Sequence, residues 1–207
     1  PYSRNQITSI FDRLPGDYFL RHHPLEIRWH INTILGNPDK TTLVSIRQAS
    51  QTKNTKVFVY GDEIPHLFSQ VTGTLGSLGL SILNAEIFTT SDKKVMDTFI
   101  IQDHNGNAVT DADTIRQIED NLLIAVQSNS IYEGAINRRR PRHLKVFDSP
   151  IEIQFEQDYL NSRTIMEISA IDMPGLLSLI ANVIASMDIS ITHAKISTLG
   201  EKVDDIF

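Results

Sequence analysis

Two turns in this 207-residue chain carry residue types that can hold a small charged ligand. One is Asp172-Met173-Pro174-Gly175-Leu176. Its proline fixes φ, its glycine lets a ligand approach the backbone, and the helix after it opens with amides that lack intrahelical acceptors. A carboxylate of amino-acid size fits such a helix start. Asp172 then either caps the helix or accepts the ligand's ammonium group, and the same residues also make a good helix start with no ligand. The other turn, Glu63-Ile64-Pro65-His66, has histidine where the first has glycine. The added Cβ and ring obstruct a ligand's approach, so this is the weaker candidate.

Three further groups invite chemistry. His22, His23 and His30, with Glu26 as the one carboxylate among them, are residue types that ligate metals, and a helical i, i+7 pair shares a face. They are read as structural. Asp97 and Asp205 hold matching positions but lie in separate units, too far apart to serve one substrate as acid and base. They too are read as structural or interfacial. The run Arg138-Arg139-Arg140-Pro141-Arg142-His143-Leu144-Lys145 is a possible anion site, read as a solvated connector.

The elements that position these residues occur twice. Pro65 aligns with Pro174, Leu67 with Leu176, Val71 with Ile180, Leu75 with Ile184 and Ala85 with Ala194, about 109 residues apart. Asp97-Thr98-Phe99 matches Asp205-Ile206-Phe207. Each copy reads as strand, turn, amphipathic helix and two strands. In the first, Val57 to Tyr60 is a strand and Leu67, Phe68, Val71, Leu75 and Leu78 form the apolar stripe of a helix that Gly79 ends. Leu80 to Thr89 and Val95 to Gln102 form a hairpin, and Asp111 to Gln127 is a second helix. The alternating Ile151-Glu152-Ile153-Gln154-Phe155 supplies a fourth strand. The order β-α-β-β-α-β closes a four-stranded antiparallel sheet with two helices on one face, a ferredoxin-like α+β unit.

The expected organisation is a helical segment at 1–36 continuing from an upstream domain, a linker or extra strand at 37–55, a first unit at 56–157 and a second at 163–207. The second lacks its second helix and fourth strand, leaving an open edge that must borrow cover. The opening at Pro1 and the stop at Phe207 within an expected strand mark a piece of a longer protein. In the helical segment, Pro24 followed by Ile27, Ile31, Ile34 and Leu35 makes a stripe that needs a partner surface.

Composition narrows the function classes. A net charge of −6 disfavours general nucleic-acid binding, and the absence of cysteine removes disulfides, thiolate metal sites and a cysteine nucleophile. The longest apolar stretch, Met173 to Met187, is too short to span a bilayer. A cytoplasmic protein is expected.

The Asp-x-Pro-Gly-Leu-Leu turn, the strand Ile189 to Ile196 and the closing Gly200 to Phe207 resemble the ACT domain, a small-molecule-sensing ferredoxin-like module. The phrases Asn84 to Thr90, Met96 to Phe99 and the leader Asp17 to His23 with Trp29-His30 resemble the C-terminal part of the bacterial PII uridylyltransferase/uridylyl-removing enzymes. That resemblance implies a parent protein that transfers UMP to the nitrogen signal protein PII and removes it, using Mg2+ or Mn2+, with L-glutamine deciding between the activities. It implies ACT domains in tandem as the glutamine sensor, pairing within the chain or in a homo-oligomer, with no membrane or nucleic-acid partner. The Gly-Ser-type transferase motif and the His-Asp hydrolase motif are absent here, so no catalytic residue, cofactor or metal is assigned to this chain. The glutamine site is expected at Asp172, Pro174, Gly175, Leu176 and His193, with a weaker first-repeat equivalent at Glu63, Pro65, His66 and Asn84. Two rival readings are a ligand-free ACT-like dimerisation or interaction module, and an RNA-binding ferredoxin-like domain stacking bases on Phe58, Tyr60, Phe88 or Phe99.

Overall fold

A computed structural model describes residues 2–48, 54–128, 151–160, 162–171, 173, 175–189, 191–199 and 202–207. The turn residues Asp172 and Pro174 and the run Arg138 to Lys145 lie outside the described residues.

Three leader helices come first: α1 (Arg4–Phe11), α2 (Tyr18–Arg21) and α3 (Pro24–Leu35). Ser3 and Gln6 form a reciprocal capping box on α1, and Pro24 occupies the first turn of α3, where its missing N–H costs nothing. Then follow β1 (Leu43–Gln48), β2 (Thr55–Asp62), α4 (Leu67–Ser77), β3 (Ser81–Glu86), β4 (Lys94–Gln102) and α5 (Ala112–Gln127). The second repeat contributes β5 (Glu152–Asp158), β6 (Arg163–Ile171), α6 (Leu176–Ser186), β7 (Lys195–Leu199) and β8 (Lys202–Ile206).

All eight strands join one antiparallel sheet in the order β1-β2-β4-β3-β7-β8-β6-β5. The two repeats meet edge to edge where β3 pairs with β7, Asn84 opposite Ser197 and Glu86 opposite Lys195. Helix α4 lies beside α5 on one flank and α6 on the other. Ala181, Ala194 and Ile196 are buried in the same core as Val57, Val71, Leu75 and Phe99. The second repeat thus takes cover from the first.

The strand assignment changes in one respect. Glu152–Asp158 does not complete the first repeat. It pairs with β6, and the place beside β2 is taken by β1, from the region read as a linker or extra strand. The second repeat's first strand therefore has partners on both sides, and the open edge expected there is filled. Both edge pairs share a register: Leu43 faces Tyr60 and Val44 faces Val59, while Glu152 faces Ser169 and Ile153 faces Ile168. The repeat thus begins one strand earlier than its turn motifs suggest. The helix-face burial of α5 is completed by a hydrogen bond from the Ile46 amide to Glu119 Oε1 at 3.3 Å, tying the helix to the edge strand.

The leader lies on the opposite face of the first repeat. Ile10, Leu14, Tyr18 and Ile31 form a second core with Phe58, Phe88 and Met96. Strand alternation explains both cores: Val57 and Val59 point toward α4, Phe58 toward the leader. The aromatics Phe58, Phe88 and Phe99 are fully buried, leaving none of them free as a base-stacking surface.

Candidate functional site

The residues that cap the two helices share a backbone conformation. His66 caps α4 at φ 67° and Gly175 caps α6 at φ 85°, both left-handed and neither with a side-chain cap bond. Glycine adopts this shape freely, whereas an L side chain meets a steric penalty of about 1–2 kcal/mol. The first repeat keeps the turn geometry despite its histidine, so its helix start is built like the second.

A pocket of about 550 Å³ opens at the first-repeat turn. Glu63, Pro65 and His66 form its rim with Lys93. The wall across from them comes from the second repeat: Ala181, Ile184 and Ala185 on α6, then Asp188, Ile189 and Ile191 beyond it. Ser69 on α4 hydrogen-bonds Asn182 on α6, clamping the two helices beside the opening. The interior is apolar, lined by Phe68, Ile87 and Val95, with Asp97 among them.

Opposite charges alternate around the rim. Lys93 Nζ lies 3.6 Å from Glu63 Oε2, and the Glu63 amide donates to the Lys93 carbonyl at 2.9 Å, so the turn and the β3–β4 connection are held together. The first-turn amides of α4 add the positive end of the helix dipole. Asp97 is 1% exposed and its Oδ1 accepts the Phe88 amide at 3.4 Å. Burial pushes its carboxyl up to about 8, against the opposing pull of that amide. At neutral pH it is chiefly a neutral acid, able to donate one hydrogen bond as well as accept. Asp205 repeats the arrangement, accepting the Ser197 amide at 3.2 Å. A zwitterion can place its charged end at this rim and a neutral, hydrogen-bonding tail inside.

The expected site residues divide accordingly. Glu63, Pro65 and His66, the weaker set, line the pocket. Gly175 and Leu176 stand at the start of α6, outside its lining. Asn84 lies on β3 between Ile100 and Ser197, also outside it. His193 is turned toward the leader: its Nε2 is 3.5 Å from Asp17 Oδ2, its Nδ1 3.3 Å from Arg163, and its ring meets Phe88 edge-on. Burial lowers its pKa, with Asp17 opposing. Lys93, Asp188, Ile189 and Ile191 were missed. The alternation of Ile189 and Ile191 marks one face of an extended segment, but nothing in the sequence says that this face meets the other repeat.

Among the described residues, no helix is long and apolar enough to cross a membrane. The model of the Uridylyltransferase GlnD fifth domain matches residues 2–33, and that of the ACT domain matches residues 55–121. Curated bifunctional uridylyltransferase/uridylyl-removing enzymes match over nearly the whole chain. That of Pseudomonas entomophila (strain L48) is 36% identical over 208 residues, 98% of this chain and 23% of the relative. That of Pseudomonas putida (strain GB-1) is 35% identical and that of Pseudomonas syringae pv. tomato (strain ATCC BAA-871 / DC3000) 34%, with the same coverage. The chain thus spans 23% of the length of these relatives. The fold agrees with these matches, since an α+β unit with helices on an antiparallel sheet is the ferredoxin-like ACT arrangement. Nearly the whole chain is thus similar to a region that makes up 23% of the length of the bifunctional uridylyltransferase/uridylyl-removing enzymes, and residues 55–121 within it match the ACT domain.

Proposed function

We propose that this region senses L-glutamine for a longer enzyme that attaches UMP to the signal protein PII and removes it, in control of nitrogen assimilation. The supporting observation is the pocket shared by the first-repeat turn and the far end of α6. A ligand there touches both repeats, so its affinity depends on how they are docked. Unequal affinity for two dockings is what an allosteric effector needs. Strand β4 and the segment that follows β3 carry the signal by alternation. Ile87, Val95 and Asp97 face the pocket, and their neighbours Phe88, Met96 and Thr98 face the leader.

The polar rim suits the amino-acid zwitterion. The apolar interior with its protonated Asp97 suits a carboxamide tail, because a glutamate tail there would bury a charge with no cation beside it. The test is calorimetric titration of this protein with L-glutamine, and with L-glutamate as control. Selective heat with glutamine is expected, lost in Ala185→Trp, which fills the pocket. Loss in Asp172→Ala with Ala185→Trp unaffected would move the site to the second-repeat turn. Absence of heat with either ligand would overturn glutamine sensing by this region. It would favour the ligand-free pairing module, for which the continuous β3–β7 junction speaks.

A further inference from the structure

The seam between the leader and the first repeat holds a polar cluster that the effector pocket does not use. His22 ends α2, and Glu26 and His30 stand one turn apart on α3. All three are buried, and one ligand atom from each lies within 4.8 Å of the others. Tyr18 holds both rings from behind. His22 Nδ1 donates to the Tyr18 carbonyl at 3.1 Å, and His30 Nδ1 meets the Tyr18 hydroxyl at 2.6 Å. Both Nε2 atoms then converge on the Thr98 hydroxyl, at 3.5 and 3.3 Å. Imidazoles anchored through Nδ1 with Nε2 directed at a common point are the arrangement that metal-binding histidines use.

A second observation points to the same place. Glu86 Oε2 lies 3.6 Å from His22 Nε2, is shut off from solvent and accepts no hydrogen bond. A carboxylate oxygen left without a donor in a buried site is costly unless something positive approaches it. Lys56 now supplies the positive charge on the other side, its Nζ 2.6 Å from Glu26 Oε1.

We propose that His22, Glu26 and His30 form a divalent-cation site, completed by Glu86, with Zn2+ the ion that this nitrogen and oxygen set suits. Tetrahedral zinc with ligands at about 2.0–2.2 Å brings donor atoms to about 3.4 Å from one another, so the cluster closes by roughly 1 Å on binding. Lys56 is partly exposed and swings out as the cation replaces it at Glu26. The ion would fasten α2 and α3 to β3, making leader docking depend on metal.

Zinc titration of this protein against a chromophoric chelator tests the site, with Co2+ visible absorption reporting coordination. One equivalent is expected, with an intense four-coordinate Co2+ band. His22→Gln and Glu26→Gln should each weaken binding at least about tenfold. Lys56→Met should strengthen it, an outcome that damaged folding would not produce. Circular dichroism checks that each variant is folded. The inference is overturned if the wild type binds no stoichiometric zinc, or if His22→Gln binds unchanged while His23→Gln or His104→Gln abolishes binding at the surface.

Discussion

The two repeats share a backbone and differ in what covers their outer face. In the first, Phe58, Tyr60 and Met96 point away from α4 and bury against the leader helices. At the matching positions of the second, the strands carry Glu167, Ser169 and Asp204. They remain polar: Ser169 Oγ donates to Asp204 Oδ1 at 2.7 Å and Lys202 Nζ lies 3.1 Å from the same carboxylate. An antiparallel sheet tolerates water on one face, so replacing alternate apolar residues with polar ones turns a sandwiched sheet into a one-sided one without changing its pairing. Each fully buried large side chain contributes roughly 1.5–3 kcal/mol, enough for a few outer-face residues to decide which repeat holds the leader.

The largest effect should come from the residue at the centre of that difference. Phe58 is fully buried and stacks on His30 at 4.0 Å, so Phe58→Ala should cost about 3–5 kcal/mol and expose the leader to protease. Its counterpart Glu167→Ala should change stability by no more than about 0.5 kcal/mol in denaturant unfolding. Equal effects would sink the comparison.

The helix faces give the next contrast. Leu122 on α5 is fully buried, and Leu122→Ala should cost about 2–5 kcal/mol. In the second repeat, Phe155 is 70% exposed, so Phe155→Ala should stay within about 0.5 kcal/mol by the same measurement.

Asp97 sharpens the comparison through pH. Its folded carboxyl titrates near 8 against 3.8 for the free group, so between those values the folded chain holds a proton that the unfolded chain has lost. Stability then falls as pH rises through that window, by up to about 1.4 kcal/mol per pH unit. Asp97→Asn should flatten the dependence, seen as a smaller drop in melting temperature from pH 5 to pH 8. An unchanged slope would show that Asp97 ionises normally.

The turns should differ least. Gly175→Ala should lose about 1–2 kcal/mol because its φ of 85° is left-handed. His66→Gly should gain up to about 1 kcal/mol by relieving the same strain at φ 67°. Thermal melts of both variants compare them directly, and a destabilised His66→Gly would mean the ring contributes contacts that outweigh the strain.

Much of the architecture was legible because it rests on local patterns. The apolar stripe from Leu67 to Leu75 marked α4, the helix expected over Asp111 to Gln127 is α5 with Asp111 as its cap, and Gly79 left its helix at φ 82°. The alternation of Ile151 to Phe155 correctly marked a strand, yet alternation does not name a partner. The short connection from Asp158 to Arg163 was the available clue, since neighbouring strands on a brief turn close at low entropic cost. Leu43 to Ile46 lies about 109 residues before Glu152 to Phe155, so the repeat period itself pointed to matching edge strands. The α3 stripe likewise found its surface within this chain, on Phe58 and Met96.

The candidate site was legible only in half. The turns could be found because strand, proline and helix start are contiguous, and their left-handed residues follow from local backbone geometry. The wall from Ala181 to Ile191 could not, because it meets Glu63 to Ser69 only after β3 and β7 pair. The amino-acid sequence by itself determined the repeat and its elements, set by periodic burial and by the proline at each helix start. Tertiary structure alone decided which strands pair, which outer face the leader covers, and that the pocket belongs to both repeats. These depend on side chains far apart in the chain competing for the same apolar surface, and no local spacing encodes the winner.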